Sequence, residues 1–159
     1  MSKLSVHVRA ARPEDAPVIA DFNAALAHET ERIALHRATL DAGVREALRD
    51  PAKCSYFVAE LDDGRVVGQL MITREWSDWR NGDIWWIQSV YVHADFRRRG
   101  VFRSLYDHAR SAAGAAGAVA LRLYVDADNT TGQQTYLGLG MRRTNYLVME
   151  DALQPGPVG

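Results

Sequence analysis

The residue types best suited to chemistry lie where an apolar segment, residues 84–92, leads into three arginines (97–99) and Gly100. Apolar residues recur at helical spacing directly after this glycine, so the run marks the start of a helix. The N-terminus of a helix presents unpaired N–H groups and a partial positive charge, and a glycine lets the backbone approach a phosphate closely. The spacing therefore indicates a pyrophosphate-binding loop over residues 97–103, although a solvated basic turn explains it equally well.

A second candidate site consists of Asn129 and Tyr136, which are seven residues apart. Asn is a favourable N-cap residue, and seven residues make about two helical turns, so the two side chains share one face of a helix. Tyr136 would present a phenol there as a proton donor. Taken alone, a tyrosine on a short helix is more often a packing residue, by about three to one.

Periodicity predicts the elements that must position these residues, in the order βααβββαβαβ. The short connections between the early strands favour antiparallel pairing, and the strand–helix–strand unit over residues 84–125 favours one parallel crossover. We therefore expect a single mixed α/β domain over residues 1–153, with helices on both faces of a mostly antiparallel sheet, and a flexible tail over residues 154–159. The predicted strands span residues 4–9, 56–61, 66–73, 84–93, 119–125 and 141–149, and the predicted helices span residues 13–27, 35–49, 100–113 and 129–137.

Together, the two motifs in this order resemble the GNAT family of N-acetyltransferases. The acyl-CoA signature of that family is (Gln/Arg)-x-x-Gly-x-(Gly/Ala), and this chain carries Arg97-x-x-Gly100-x-Phe102. The later family segment is Asn-x-x-Ala-x-x-x-Tyr-x-x-x-Gly-Phe, and this chain has Asn129-x-x-Gly132-x-x-x-Tyr136-x-x-x-Gly140-Met141. The resemblance covers nearly the whole chain. It implies a GNAT-type fold with two splayed parallel strands, and acetyl-CoA as the co-substrate.

The resemblance also implies a role for each matching residue. Main-chain groups of Val90 and Val92 would pair with the pantetheine arm, and Asn129 would contact the same arm. Tyr136 would protonate the departing thiolate, which is chemically reasonable because a phenol with a pKa near 10 stays protonated at neutral pH. A main-chain N–H near Val90 would stabilise the oxyanion during direct attack by the amine. The cofactor-binding residues are then Val90, Tyr91, Val92, Arg97, Arg98, Arg99, Gly100, Val101, Phe102, Arg103, Asn129 and Tyr136.

Two positions depart from the family pattern. Phe102 replaces a Gly or Ala, so the loop keeps its function if this side chain points into the sheet rather than at the pyrophosphate. Gln88 stands where relatives that acetylate polyamines carry a Glu as base, and because Gln cannot accept a proton at neutral pH, another acid or a water molecule must serve. Each acid taken alone is more often a solvated surface residue. The candidates for the acceptor side are Glu29, Glu31, Glu75, Trp76, Asp78, Trp79 and Gln88.

Two tryptophans flank Asp78, and this mixture of aromatic and acidic groups suits either a cationic amine or a dimer contact. We therefore expect an N-acetyltransferase that acts on a small, polyamine-like amine or on a protein amine, with a homodimer as one option. The alternative is a non-catalytic acyl-CoA sensor on the same fold. Gln88 and Phe102 favour the sensor, whereas the combination of Asn129 with Tyr136 disfavours it.

The composition limits the other function classes. The 159 residues include 19 basic and 20 acidic ones, for a net charge of −1, which argues against a nucleic-acid-binding surface. The histidines lack metal-ligand spacing, so we expect no metal. Cys54 is the single cysteine, which excludes an internal disulfide and favours a reducing compartment. Because there is neither a signal-peptide core nor an apolar run of spanning length, we expect a cytoplasmic protein without a membrane segment.

Overall fold

A five-stranded sheet runs through the first compact unit of the chain, which ends at Leu123. The structure is a computed structural model, and it describes residues 2–155. The strands are β1 (His7–Ala10), β2 (Ser55–Glu60), β3 (Val66–Ser77), β4 (Gly82–Val92) and β5 (Ala120–Leu123). The helices of this unit are α1 (Ala16–Glu31), α2 (Arg37–Arg49) and α3 (Val101–Ala115), and short 3-10 turns span Pro13–Asp15 and Ala94–Phe96.

The strands lie side by side in the order in which they occur in the sequence, from β1 to β5. Neighbouring strands among the first four are antiparallel, and β5 is parallel to β4. A parallel neighbour requires a crossover connection, and α3 supplies it between β4 and β5. The predicted mixed sheet with one parallel crossover is thus confirmed.

Successive residues of β3 point to opposite faces of the sheet, and different helices cover the two faces. Gln69 donates a hydrogen bond from Nε2 to Asn23 Oδ1 of α1 at 2.7 Å. Gly68, one residue earlier, faces α3, because a Cβ placed on it would lie 3.1 Å from Val101 Cγ1 and 3.2 Å from Leu105 Cδ1. The sheet therefore has α1 on one face and α3 on the other, as predicted.

The observed elements differ from the predicted ones mainly at their ends. α1 does not stop near residue 27 but continues to Glu31, where Arg32 adopts a left-handed conformation with φ of 57°. Glu29 and Glu31 therefore lie within the helix. The apolar pattern fades after residue 27 because the last turn of α1 is exposed, and an exposed turn needs no apolar side chains. β3 and β4 likewise extend beyond the predicted strands into a long hairpin with an exposed tip.

The second compact unit begins at Tyr124 and contains one helix among its described residues, α4 (Thr130–Gly138). The strand predicted over residues 141–149 is wrong, since these residues form neither helix nor strand. Leu147, Val148 and Met149 are between 71% and 94% exposed. Apolar residues produce a strand only where a neighbouring strand pairs with their main chain, and no described strand pairs with this segment.

Within residues 2–155, every helix is too short or too polar to span a lipid bilayer. Within the same residues, no group of three or more His, Cys, Asp or Glu side chains is arranged to hold a metal ion. The single-domain boundary at residue 153 stays a prediction, and residues 156–159 of the predicted tail lie outside the described residues.

Candidate active site

One edge of β4 is open at its C-terminal end. β4 continues to Val92, whereas its parallel neighbour β5 makes its last pair between Leu123 and Ile87. Residues 88–92 of β4 therefore have β3 on one side and no described strand on the other.

Gln88 forms a bulge at the point where the parallel pairing ends. Residues 71–72 of β3 face residues 87–89 of β4, so that Gln88 is left without a partner residue in the ladder. Its side-chain Nε2 donates a hydrogen bond to Thr73 Oγ1 at 2.7 Å. The predicted acceptor-side residue Gln88 thus lies beside the open edge.

The main-chain groups of Val90 and Val92 point toward this open side. His93 N–H donates to Val67 C=O at 2.9 Å, which places Val92 in a non-hydrogen-bonded pair of the antiparallel ladder. The N–H and C=O of Val92 therefore point away from β3, as do those of Val90, whereas the main chain of Tyr91 bonds toward β3. An amide-containing chain laid along this edge would find partners at alternate residues, as an added strand does.

The connection from β4 to α3 ends in a left-handed glycine. Gly100 has φ of 86° and Arg98 has φ of 59°, a conformation that glycine adopts freely and that costs arginine free energy. Ser104 N–H makes the first hydrogen bond of the helix, to Gly100 C=O at 3.0 Å. The N–H groups of residues 101–103 consequently have no acceptor within the helix, and they lie at the positive end of its dipole.

The arginines around this helix start differ in how their charges are used. Arg103 donates from Nε to both carboxylate oxygens of Asp107 at 3.0 Å, so an acid of the same helix neutralises it. Arg98 and Arg99 have no ion-pair partner among residues 2–155. Among these arginines, Arg98 and Arg99 are therefore the two whose charge is not balanced by an acid.

Lys3 is a further cation of this region, and sequence reasoning missed it. Leu4 N–H donates to Arg99 C=O at 2.8 Å, so the segment before β1 lies against the loop. The Lys3 side chain passes over Gly100, since a Cβ placed on Gly100 would lie 3.3 Å from Lys3 Cγ. No sequence signal could have found this contact, because only the antiparallel course of β1 brings its start to the end of β4.

Phe102 does not occupy the core position of the first helical turn. Val101 and Leu105, at 1% exposure or less, are the side chains that α3 directs into the sheet. Phe102 is half-buried, with its ring centroid 6.2 Å from that of Tyr106. The Phe102 ring thus lies along the helix, next to the residue one turn later.

Arg97, the first residue of the signature, is held by neighbouring groups. Its Nε donates to Val92 C=O at 2.9 Å, and its terminal nitrogen donates to Glu29 Oε2 at 2.7 Å. Glu29 also accepts from the Tyr91 hydroxyl at 3.0 Å. The hydrogen bond from Arg97 outweighs desolvation and lowers the pKa of Glu29. A carboxylate with a lowered pKa is a weaker base, so the geometry does not favour Glu29 as the proton acceptor.

Glu75, Trp76, Asp78 and Trp79 lie on the distal half of the β3–β4 hairpin, whereas Glu31 is the exposed last residue of α1. Glu75 is exposed, and Asp78 Oδ1 accepts from Trp79 N–H at 2.9 Å within the turn itself. Trp76 and Trp79 are exposed and do not enclose a pocket. Because strands rise about 3.3 Å per residue, the six steps from Gly82 to Gln88 place Asp78, in the turn, about 20 Å from the bulge. Glu75 faces Ile84, four steps from Gln88, and is therefore about 13 Å from the bulge along the strand. The structure does not bring either acid into contact with Gln88.

Asn129 caps α4 in the second unit, as predicted. Its Oδ1 accepts from Gly132 N–H at 2.9 Å. A Cβ placed on Gly132 would lie 2.5 Å from Asn129 Nδ2, so the glycine makes room for the cap where the family pattern has Ala. Tyr136 is half-buried, and burial raises the pKa of its phenol. The phenol therefore stays protonated well above neutral pH.

A model of the acetyltransferase (GNAT) family matches residues 20–141. Within the match lie the open edge of β4, the loop before α3, and both Asn129 and Tyr136. No curated protein matches the sequence.

Solved structures give the same result. A possible acetyltransferase from Clostridium difficile 630 shares 40% sequence identity and has a TM-score of 0.89, and the match covers 94% of this chain and 99% of that one. A ribosomal-protein-alanine N-acetyltransferase from Brucella melitensis biovar Abortus 2308 has a TM-score of 0.74 at 19% identity, with 94% and 100% covered. An aminoglycoside acetyltransferase from an uncultured soil sample, in complex with sisomicin, has a TM-score of 0.77 at 12% identity, with 94% and 97% covered. The last two similarities concern the fold alone.

Proposed function

This chain belongs to the GNAT family of acetyltransferases, which use acetyl-CoA as donor, and we propose that it acetylates a primary amine by direct attack, with Tyr136 as the general acid. The observation that carries the proposal is the continuity of two binding features. The open edge of β4, at Val90 and Val92, leads within one short loop to the first turn of α3, whose N–H groups have no acceptor within the helix.

The residues present suit acetyl-CoA, which supplies an acetyl group activated as a thioester. The N–H and C=O of Val90 and the N–H of Val92 would hold the amide-rich pantetheine arm as an added strand, while the Val92 C=O accepts from Arg97 Nε. The N–H groups of residues 101–103, with Arg98 and Arg99, would hold the pyrophosphate, because they combine hydrogen-bond donors with positive charge. A main-chain N–H near Val90 would also bind the developing oxyanion.

Tyr136 is proposed to donate its phenolic proton to the sulfur that leaves when the amine nitrogen bonds to the carbonyl carbon. Its raised pKa supports this role, since the phenol is then in the protonated form at the pH where amines are nucleophilic. The proton lost by the amine would go to a water molecule held near Gln88. The hydrogen bond between Gln88 and Thr73 fixes that side chain at the bulge, and Glu29 is already paired with Arg97.

The acceptor is proposed only as a primary amine on a small, polyamine-like molecule or on a protein. The neighbours in fold are named for acceptors as different as ribosomal-protein alanine and an aminoglycoside, which fits a fold whose acceptor side varies.

The test compares the native chain with Tyr136→Phe, using release of free thiol with a panel of diamines, amino acids, aminoglycosides and peptides. We expect kcat to fall by about a hundredfold while the Kd for acetyl-CoA stays unchanged, since removing a general acid typically costs 10² to 10⁴ in rate. Tyr146→Phe is the matched control, because Tyr146 is an exposed tyrosine of the same compact unit. An unchanged kcat in Tyr136→Phe would remove the general acid from the mechanism. Tight acetyl-CoA binding without turnover on any amine would favour the sensor alternative.

A further inference from the structure

Glu29 stands at the centre of a cluster that links the last turns of α1 to the loop before α3. It accepts hydrogen bonds from Arg97 at 2.7 Å and from the Tyr91 hydroxyl at 3.0 Å. Arg97 in turn donates to Val92 C=O, and its guanidinium carbon lies 5.3 Å from the centroid of the Tyr91 ring. We call Glu29, Tyr91 and Arg97 the Glu29 clamp.

The clamp holds the Arg97 guanidinium in one place although the side chain is 43% exposed. Three different groups approach it: a carboxylate, a main-chain carbonyl and an aromatic ring. An arginine with that many partners has little freedom to turn toward a ligand, and its charge is balanced by Glu29.

The clamp also sets where the pyrophosphate loop begins. Arg97 is the residue that follows the 3-10 turn Ala94–Phe96, and its bond to Val92 C=O ties that residue back to the end of β4. Fixing Arg97 restricts the next three residues, of which Arg98 and Gly100 have positive φ. The loop thus reaches α3 with its N–H groups already arranged, which reduces the ordering cost of binding.

We propose that Glu29 is a positioning residue that keeps Arg97 hydrogen-bonded to the Val92 carbonyl. It thereby pre-arranges the loop for the pyrophosphate of acetyl-CoA. The inference rests on the proposed function, because it takes this loop as the pyrophosphate site. In this proposal Glu29 does not act on the amine acceptor, and it contributes instead to the affinity for acetyl-CoA. Arg97 then acts on the phosphate through the backbone, and Arg98 and Arg99 supply the charge.

The test uses Glu29→Gln with two donors, acetyl-CoA and S-acetyl-pantetheine, which lacks the pyrophosphate and the nucleotide. We expect KM for acetyl-CoA to rise about twofold to fivefold, as befits loss of a partly exposed ion pair. The kcat with acetyl-CoA and both constants with S-acetyl-pantetheine should stay at the native values. A variant that merely loosened α1 would change the constants for both donors.

Asp21→Asn is the matched control, because Asp21 makes the other arginine ion pair of α1, with Arg37 at 2.8 Å, away from the loop. It should leave both donors unaffected. In an Arg97→Gln background, the Glu29→Gln effect should disappear, since the partner is already gone.

Three results would overturn the proposal. Tighter acetyl-CoA affinity in Glu29→Gln would mean that Glu29 masks Arg97 as a direct phosphate ligand. Equal losses with both donors would mean a general structural role. An undiminished effect in the Arg97→Gln background would mean that Glu29 acts through another group. Failure of the proposed function is distinguishable, because the native chain itself would then neither bind acetyl-CoA nor release thiol.

Discussion

Gly68→Ala is a sharp test of how closely α3 packs on the sheet. The added Cβ would lie 3.1 Å from Val101 Cγ1, 3.2 Å from Leu105 Cδ1 and 3.2 Å from Tyr91 O. Val101 and Leu105 are at most 1% exposed and cannot rotate into solvent, and the oxygen belongs to the main chain of β4. Relief therefore requires α3 to move away from β3 by a few tenths of an ångström.

The expected cost follows from this geometry. Overpacking a well-packed core costs about 1–3 kcal/mol, and replacing Gly by Ala returns about 0.4–1 kcal/mol through the unfolded chain. We expect a net loss of about 1–2 kcal/mol, which lowers Tm by roughly 2–8 °C for a chain of this size. Val101 is also the first residue of α3, so the displacement falls on the proposed pyrophosphate loop and should weaken acetyl-CoA binding.

Thermal and denaturant unfolding measure the first effect, and calorimetric titration with acetyl-CoA measures the second. Gly43→Ala in α2 is the control, because a Cβ there meets nothing within 4 Å. In the interior of a helix that change should stabilise the chain by about 0.5–1 kcal/mol, so the two variants should move Tm in opposite directions. A Gly68→Ala variant as stable as the native chain would refute the close packing of α3 on β3.

Substitutions at Asp15 and Asn23 test the contacts of β1 and of the sheet face that α1 covers. Burial raises the pKa of Asp15, but hydrogen bonds from Arg9 and Arg12 outweigh it and hold that pKa below its ordinary value. The stabilisation by ionised Asp15 is then fully present above about pH 4, near the pKa of the unfolded chain, and is lost as the pH falls through the lower folded pKa. Asp15→Asn should therefore be less stable than the native chain at pH 7, and unfolding measurements in acid should show a smaller difference between the two. The side chain of Gln69 is buried; its Nε2 donates to Asn23, and its Oε1 has no hydrogen-bond partner among the described residues. Asn23→Ala leaves Nε2 without an acceptor as well, and should lower the free energy of unfolding in urea by about 1–3 kcal/mol. Gln69→Leu removes the amide itself and should lower the free energy of unfolding by less than Asn23→Ala does. The reverse order would contradict the hydrogen bond between Gln69 and Asn23.

The sequence was most informative where a local pattern alone decides the structure. The apolar run of β4, the helical spacing of α3 and the N-cap at Asn129 depend on neighbours within a few residues, and the structure contains all three. The parallel crossover followed from the strand–helix–strand order, which leaves few alternatives.

The sequence was least informative where distant residues decide the structure. Residues 141–149 carry a strand pattern, but whether they pair depends on a neighbour that their own sequence does not specify. Glu29 resembled a surface acid until the fold brought it to Arg97, and Lys3 meets Gly100 only because β1 runs antiparallel to its neighbour. The need for glycine at position 68 likewise becomes visible only when α3 is laid against β3.

The direct measurement of donor binding is calorimetric titration of acetyl-CoA into the native chain and into a variant that carries Arg99→Glu and Gly100→Asp. Gly64→Asp is the control, because Gly64 has φ of 87° against 86° for Gly100 and lies in the β2–β3 turn, so it reproduces the backbone strain elsewhere. If the loop before α3 holds the pyrophosphate, the native chain and Gly64→Asp will bind acetyl-CoA with equal affinity. The loop variant will bind at least about a hundredfold more weakly, because one acid replaces a cation and the other stands where the main chain approaches the phosphate. Equal affinity in all three proteins would contradict the assignment of this loop.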